Sequence, residues 1–425
     1  MALVFATVLL VLILIAVPIL FALVGTALFI ALTAGDIPFL ILPQQLMAGM
    51  DSFPMLAVPL FILAGGIMDV GGIAGRLVTL ASALVGRLPG GLGHVVVGAE
   101  VFLGGVSGST SAQTAAIGGI MIPQLVVKGY TRERATAITG AACAMGIMMP
   151  PTIVLIIYGV IANASIGRLF IAAIVPGLLM ALALMIMIWI QARSQQWPRG
   201  EWPGWRETCR AGFDSILPLL LMIVIIGGIY YGLFTATEAA AVAVAYSVLL
   251  AALVYRSLSW QALWDKLVET AILTGMVLSI VGAAQALSWV LAHEQIPQLI
   301  ASSVTELGSG QIGFLMLTVL IFLPFGAVLE GVPAVVMLTP ILAPIARGYG
   351  IDMVHYGVII CATQGISVFM PPIGISLLVA CSVGHTTPGA VARPLLPYLG
   401  LLLALTLVLA IFPQIALFLP NLLSP

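Results

Sequence analysis

A Met-Pro-Pro triplet occurs twice in the sequence, at residues 149–151 and again at residues 370–372. The copies are 221 residues apart in a chain of 425, and the same offset pairs Pro123 with Pro344. A register shared over this distance predicts that the chain arose by duplication. Proline removes a backbone donor and kinks or breaks a helix. Each half is therefore predicted to interrupt a helix at the same point.

The composition predicts an all-α polytopic membrane protein. Charged residues make up 7% of the chain and apolar residues 62%, with a mean hydropathy of +1.24, whereas a soluble domain carries about 25% charged residues. Apolar runs of about 18 residues or more, enough to cross a bilayer as a helix, recur along the whole length. Such runs exclude a transmembrane β-barrel, whose strands alternate. The formal net charge of −1 gives no sign of nucleic-acid binding.

Two halves joined by a polar linker are predicted: residues 1–192, the linker 193–213, and residues 214–425. Each half is expected to contain one re-entrant helical hairpin and one helix broken at the Pro-Pro pair. These are the hairpins at about 94–127 and 312–346 and the broken helices at about 134–162 and 353–383. The other predicted spans are 2–16, 18–34, 53–70 (followed by a short glycine-rich stretch), 168–192, 215–233, 238–256, 266–292 and 395–419.

The basic residues predict the membrane orientation. If each hairpin enters and leaves on one side, only Arg168 and Arg347 of the 14 basic residues fall on one face. The others fall on the opposite face: Arg76, Arg87, Lys128, Arg132, Arg134, Arg193, Arg199, Arg206, Arg210, Arg256, Lys266 and Arg393. Basic residues concentrate on the cytoplasmic side. The linker 193–213 is therefore predicted to be cytoplasmic and the C-terminus periplasmic.

The number of crossings predicts an inverted repeat. The second half crosses three times before its hairpin and twice after it, about five crossings, so the two copies run in opposite directions, as in many secondary transporters. A matching first half requires residues 2–34 to form two short helices that turn at Val17-Pro18. A single long tilted helix is the alternative.

The first hairpin tip is rich in hydroxyl groups. We predict a cation site that joins Ser107, Ser109 and Thr110 to Met149 and Pro150 of the first break. Hydroxyl and backbone carbonyl oxygens suit a hard cation such as Na⁺, and the prolines would free carbonyls for this purpose. The alternatives are that the small residues only allow close helix packing and that the break is a simple kink.

A second cation site is predicted at the equivalent place in the second half. It joins Gly326, Glu330 and Gly331 to Met370 and Pro371. A carboxylate inside a membrane segment is expensive and indicates function. Glu330 could bind Na⁺, carry a proton, or cap the following helix through its free N–H groups.

The substrate cavity is predicted between the two sites. Its candidate residues are Ser111, Gln113, Pro151, Thr152, Pro372 and Gly374. The N-termini of the hairpin arms would point inward, which favours an anionic group on the substrate. Gly105-Val106-Ser107-Gly108 also fits the GxSG of intramembrane serine proteases, but no histidine lies mid-span as a general base. We therefore expect no enzyme activity.

Several stretches resemble one transporter family. Residues 105–123, GVSGSTSAQTAAIGGIMIP, resemble the first-hairpin signature of the large membrane subunit of TRAP (tripartite ATP-independent periplasmic) transporters. Residues 237–244, residues 338–344 and both Pro-Pro breaks do so too, and the resemblance covers essentially the whole chain. Glu330 departs from the shorter acidic residue expected in many members.

The resemblance implies Na⁺-coupled uptake of an organic acid, such as a dicarboxylate, across a bacterial inner membrane by an elevator mechanism. It implies Na⁺ as coupling ion without an organic cofactor, and two partners: a small membrane subunit of about four helices, expected as a separate chain, and a periplasmic substrate-binding protein. A self-sufficient Na⁺/anion symporter of similar architecture and a non-transporting scaffold subunit are the alternatives.

Overall fold

The computed structural model describes residues 2–35, 37–104, 109–200, 204–296, 298–299, 310–329 and 331–423. Within these ranges the regular secondary structure is helical, which confirms the predicted fold class. Eight of the described helices are long and apolar enough to cross a membrane. Ser107 and Glu330, two predicted site residues, lie outside the described residues.

The first half contains ten α-helices. They are α1 Ala2–Leu14, α2 Ile19–Ala34, α3 Ile41–Met50, α4 Ala57–Val70, α5 Ile73–Val85, α6 Gly91–Leu103, α7 Thr110–Val127, α8 Arg132–Gly146, α9 Ile153–Ile161 and α10 Ile166–Ser194. A 3-10 turn at Phe53–Leu56 leads into α4.

The second half continues with nine described α-helices. They are α11 Trp205–Tyr230, α12 Ala236–Leu249, α13 Trp260–His293, α14 Gly310–Leu329, α15 Gly331–Gly348, α16 Met353–Ser367, α17 Ile375–Gly384, α18 Pro388–Ile411 and α19 Pro413–Leu423. A π-helical turn at Leu250–Val254 extends α12.

Helix bounds repeat with the offset of the Met-Pro-Pro triplets. Helices α7 and α15 begin at residues 110 and 331, and α8 and α16 begin at 132 and 353, so both pairs differ by 221. The ends of these helices differ by the same number. The register of the duplication is therefore kept in the helices that form and follow each predicted hairpin.

Two helices were not expected from the sequence. Helix α3 lies between the second and third predicted spans, and α5 occupies the short glycine-rich stretch after residue 70, for which no span was predicted. Gly72, with φ of +66°, starts α5 in the left-handed region that glycine adopts readily. The buried face of α5, which includes Leu77 and Ala81, packs on α6 and α11. Tertiary packing thus outweighs the glycines that flank this segment.

Residues 2–34 form two helices, as the repeat requires. The chain turns between α1 and α2 at Ala16, which has φ of +60°, and at Pro18. Helix α1 then packs on α2. A single long helix over this segment is therefore wrong.

Two arginine side chains of the predicted cytoplasmic face contact residues of other segments on that face. Arg134 of α8 donates to Gln195, and its guanidinium lies 5.9 Å from the ring centroid of Trp197. Arg76 of α5 stacks 3.5 Å above the ring of Tyr255 at the end of α12. Cation–π contacts of this kind are typical of interfacial Arg and aromatic pairs. Their position relative to a membrane stays a prediction.

The Tyr158 hydroxyl ties the two halves together. It donates to the backbone oxygen of Met353 at 2.7 Å, and Tyr158 is fully buried. We expect Tyr158→Phe to lower the free energy of unfolding by about 1–2 kcal/mol, because the carbonyl loses a buried donor. The measurement is the unfolding temperature in detergent, with Tyr231→Phe as control because Tyr231 is 76% exposed. Equal effects of the two variants would contradict this role.

Candidate functional site

Both predicted hairpin tips line one cavity of about 750 Å³. The described residues of the first tip and the start of α7, 109–112, and the residues at the α14–α15 junction contribute to the same wall. The first turns of α9 and α17, which follow the two breaks, add to it through Ile153, Val154 and Ile375. The opposite wall comes from the start of α2, from α4 and from α13. Two hairpins that enter from opposite faces would produce this convergence.

The described part of the first tip presents hydroxyl groups to the cavity. Ser109 is the N-cap of α7, and its Oγ accepts the N–H of Ala112 at 3.4 Å. The Oγ of Ser111 lies 3.0 Å from the Oγ of Ser109. Ser109, Thr110 and Ser111 all line the cavity and are half-buried. A helix N-terminus with hydroxyl groups can hold a negative group through N–H or a cation through oxygen.

The first break is buried. The chain leaves α8, passes Met149, Pro150 and Pro151, and starts α9 with Thr152 as its N-cap. The Thr152 Oγ accepts the N–H of Leu155 at 3.4 Å. The Pro150–Pro151 peptide bond is cis. None of these four predicted site residues is among the residues that line the cavity.

The second break is more open. Met370 is 37% exposed and Pro372 is exposed. Gly374 starts α17, and its N–H donates to the backbone oxygen of Met370 at 3.0 Å. The Pro371–Pro372 bond is cis, as in the first half. The two breaks therefore share a cis Pro-Pro bond but differ in their exposure to solvent.

The described candidate site residues of the second tip, Gly326 and Gly331, are glycines with different surroundings. Gly326 is buried against α16: a Cβ there would overlap the Oγ of Ser367 and approach the Nε2 of Gln364 to 3.0 Å. Gly331 starts α15 with φ of +29° and lines the cavity. Gly326 therefore allows the backbone to approach α16 closely, whether or not an ion binds, whereas a Cβ on Gly331 would have no atom within 4 Å and the glycine there accommodates only the positive φ.

The two broken helices touch where they end. A Cβ on Gly365 of α16 would overlap the carbonyl oxygen of Ala144 in α8. The thiol of Cys361 donates to the backbone oxygen of Ile147 at 3.4 Å. This contact brings the first and second breaks together behind the cavity.

Three charged residues that we did not predict as site residues also line the cavity. Lys266 and Glu269 of α13 form an ion pair of 2.7 Å, and Asp69 of α4 lies near them with a buried Oδ1. The stem of Lys266 lies against Gly66, where a Cβ would be 3.1 Å from its Cδ. Asp69 was detectable as the acidic residue at the end of an apolar span. The approach of α4 to α13 was not detectable from the sequence.

Gln113 lies elsewhere than predicted. It is 2% exposed, is not among the residues that line the cavity, and donates to the carboxylate of Glu100. Glu100 is fully buried on α6. Glu100 could have been recognised in the sequence, because it is the acidic residue of the first predicted hairpin.

The oxygen donors of the site fit a hard monovalent cation better than a transition metal. Among the described residues no group of three or more His, Cys, Asp or Glu could hold a metal ion. The tip and break residues offer hydroxyl and carbonyl oxygens, which alkali and alkaline-earth cations prefer.

Apolar spans, paired helix breaks and two helix junctions that meet at one cavity define a multi-pass membrane transporter. The comparison with known proteins gives the family. Residues 6–415 match the family described as tripartite ATP-independent periplasmic transporter, DctM component. The chain belongs to this family, which confirms the resemblance found in the sequence.

Relatives agree with this assignment. The chain is 40% identical over 371 residues to the C4-dicarboxylate TRAP transporter large permease protein DctM of Pseudomonas aeruginosa, covering 87% of both chains. It is 36% identical over 404 residues to the isethionate TRAP transporter permease protein DctMQ of Oleidesulfovibrio alaskensis, covering 95% of this chain and 64% of that longer protein. These relatives are named as permeases, not enzymes.

A solved structure shares the fold. The YdaH transporter of Alcanivorax borkumensis superposes with a TM-score of 0.64 and 16% identity, over 89% of each chain. At this identity the likeness shows the architecture alone.

Proposed function

We propose that this chain is the transporting subunit of a Na⁺-coupled importer of an organic acid in a bacterial inner membrane. The observation that carries the proposal is the convergence of both hairpin tips and both helix starts on one cavity. The names of two relatives, a C4-dicarboxylate permease and a sialic acid permease, support a carboxylate substrate. The isethionate permease is named for a sulfonate, so the chemistry shared by these names is an organic acid anion. Hydroxyl groups at the N-terminus of α7 fit both an anionic substrate and a cation.

Two Na⁺ sites are proposed at the places that the sequence indicated. The first joins Ser107, Ser109 and Thr110 to the backbone near Met149 and Pro150. Na⁺ there would lie between the hydroxyl groups of the first tip and the backbone of the first break.

The second proposed site joins Gly326, Glu330 and Gly331 to the backbone near Met370 and Pro371. The register kept between α7–α8 and α15–α16 supports an equivalent position in the second half. Its break is more exposed than the first, so the second ion would exchange more easily with the surrounding solution.

Transport is proposed to follow an elevator scheme. The two halves would form an inverted repeat with re-entrant hairpins, and the hairpins with α8–α9 and α16–α17 would carry substrate past α2, α4 and α13. The cavity between these two groups of helices supports this division. The loop after α10 would be cytoplasmic and the C-terminus periplasmic, as the basic residues indicate.

Two partners are proposed from the family. A small membrane subunit, on a separate chain, would complete the membrane complex, and a periplasmic binding protein would deliver the substrate. A panel of C4-dicarboxylates and sugar acids, tested for uptake in proteoliposomes with both partners, would identify the substrate.

The first test is the unfolding temperature of the purified protein against Na⁺, with K⁺ and choline at constant ionic strength. A ligand that binds only the folded state raises stability by mass action. We expect the unfolding temperature to rise with Na⁺ in a saturable and Na⁺-specific way. In Ser109→Ala and in Glu330→Gln the apparent affinity for Na⁺ should fall by at least about tenfold.

The control for this test is Ser194→Ala, because Ser194 is exposed at the end of α10. It should keep the full Na⁺ response. Unchanged Na⁺ dependence in both site variants would refute the two sites. Uptake without the partner proteins would instead favour a self-sufficient symporter.

A further inference from the structure

Each predicted hairpin contains one carboxylate and no lysine or arginine. Glu100 is the acidic residue of residues 94–127, and Glu330 is that of residues 312–346. A charge at this depth is costly in a membrane protein and usually has a functional reason. Glu330 lies in the second tip, whereas Glu100 lies on the arm before the first tip. The first half therefore places its charge differently from the second.

Glu100 is enclosed by neutral groups. The Nε2 of Gln113 donates to its Oε2, and the thiol of Cys143 donates to its Oε1 at 2.8 Å. These partners come from α7 and α8, so the carboxylate joins three helices. The ion pair found in the described ranges, Lys266–Glu269, lies on α13. Hydrogen bonds alone offset only part of the cost of a buried charge.

The carboxylate lies against the last residue of α8, which also contacts Gly104. A Cβ on Gly146, the last residue of α8, would be 2.6 Å from the Oε2 of Glu100 and 2.9 Å from the Nε2 of Gln113. A Cβ on Gly104, at the start of the tip, would overlap the carbonyl oxygen of the same Gly146. Glu100 thus touches the junction at which the tip meets the helix that leads to the first break.

We propose that the Glu100 carboxylate supplies the negative charge that balances the cation of the first site. Glu100 is not itself a ligand of this cation, whose proposed ligands are neutral. The inference rests on the proposed function, since it assumes that a cation binds between the first tip and the first break. The ligands proposed there are hydroxyl and carbonyl groups, so a bound Na⁺ brings a positive charge that they do not neutralise next to the buried first break. Coulomb attraction is weakly screened in a buried region. A cation and Glu100 therefore stabilise each other.

The second half supports this division of roles. The positions equivalent to Glu100 and Gln113 by the 221-residue offset are Ile321 and Ala334, which cannot form such a pair. The second hairpin has its carboxylate in the tip itself, at Glu330. Each proposed site thus has one negative charge, held behind the ligands in the first half and among them in the second.

The test measures the Na⁺ concentration that gives half of the stabilisation in a thermal unfolding assay. Glu100→Gln removes the charge and keeps the shape, so we expect at least about a tenfold increase in this concentration. Its unfolding temperature without Na⁺ should stay the same or rise, because a buried charge is removed. Glu207→Gln is the control, since Glu207 is exposed on α11.

A rescue variant separates charge from packing. Glu100→Gln with Gln113→Glu moves the carboxylate across the same hydrogen bond, and it should return the Na⁺ requirement to within about threefold of the unchanged protein. If Glu100→Gln does not fold, Glu100→Met with Gln113→Met replaces both partners by apolar groups and leaves no donor of this pair unsatisfied. It should weaken Na⁺ binding to the same extent.

The outcomes distinguish the two proposals. A Na⁺ response that is unchanged in Glu100→Gln, or in the double methionine variant, overturns the role of Glu100 and leaves the proposed function in place. A rescue variant that binds Na⁺ as weakly as Glu100→Gln also overturns it. If the protein without substitutions shows no Na⁺ response at all, both the role of Glu100 and the proposed function are overturned.

Discussion

The Gly365→Ala variant is expected to unfold about 5 °C below the unchanged protein. A Cβ at this position overlaps the carbonyl oxygen of Ala144, in the contact between the two broken helices α8 and α16. A backbone oxygen inside a helix cannot move aside as a side chain can. Overpacking costs about 1–3 kcal/mol, and we expect the upper end, since about 3 kcal/mol lowers the unfolding temperature of a chain this long by roughly this amount.

The matched control is Gly119→Ala on α7. Gly119 is exposed, and no atom lies within 4 Å of a Cβ built there. Alanine has the higher helix propensity, so this variant should be at least as stable as the unchanged protein. If the two variants unfold at the same temperature, α8 and α16 do not approach each other as closely as the structure places them.

The sequence predicted the parts of the fold that depend on local backbone chemistry. The Pro-Pro pairs located both breaks, and the repeat offset located α15 and α16 from α7 and α8. Proline acts on its own helix, so its effect can be recognised without knowing any neighbour. The two-helix interpretation of residues 2–34 came from the inverted repeat, and Pro18 marked the place of the turn.

Features that depend on packing were not predictable. Helix α5 is stabilised by burial against α6 and α11. This packing cannot be recognised from the sequence, in which glycines flank the helix. The site shows the same limit. Ser109 and Thr110 were recognisable as hydroxyl groups at a tip. The pairing of Gln113 with Glu100 on the preceding helix, and the approach of Asp69 to Lys266 on a helix distant in sequence, arise only when the helices pack together.

The exposure of the two breaks differs more than their sequences do. Met149 is 6% exposed and Met370 37% exposed, although both precede a cis Pro-Pro bond. In the proposed elevator scheme, the site on the moving part cannot be open to both sides of the membrane at the same time. A conformation that covers the first break and uncovers the second is consistent with that requirement.

Lys266→Met is expected to reduce uptake of the organic acid by about tenfold at subsaturating concentration. Lys266 is the basic residue among those that line the cavity, beside Asp69 and Glu269. Its removal changes the formal charge of these three residues from −1 to −2, and it leaves Glu269 without its partner at 2.7 Å. An anionic substrate would then enter against a stronger negative potential.

The uptake assay for this prediction uses proteoliposomes that contain the partner proteins and the substrate found in the panel. Lys128→Met, which removes the same charge from an exposed position outside the cavity lining, should keep normal uptake. Lys266→Arg should also keep most of it, because the positive charge remains. Salt at physiological ionic strength screens interactions between exposed charges that are more than about 8 Å apart. Higher salt should therefore narrow the difference in uptake between Lys266→Met and the unchanged protein. Equal uptake by Lys266→Met and Lys128→Met would mean that the substrate does not pass this wall of the cavity.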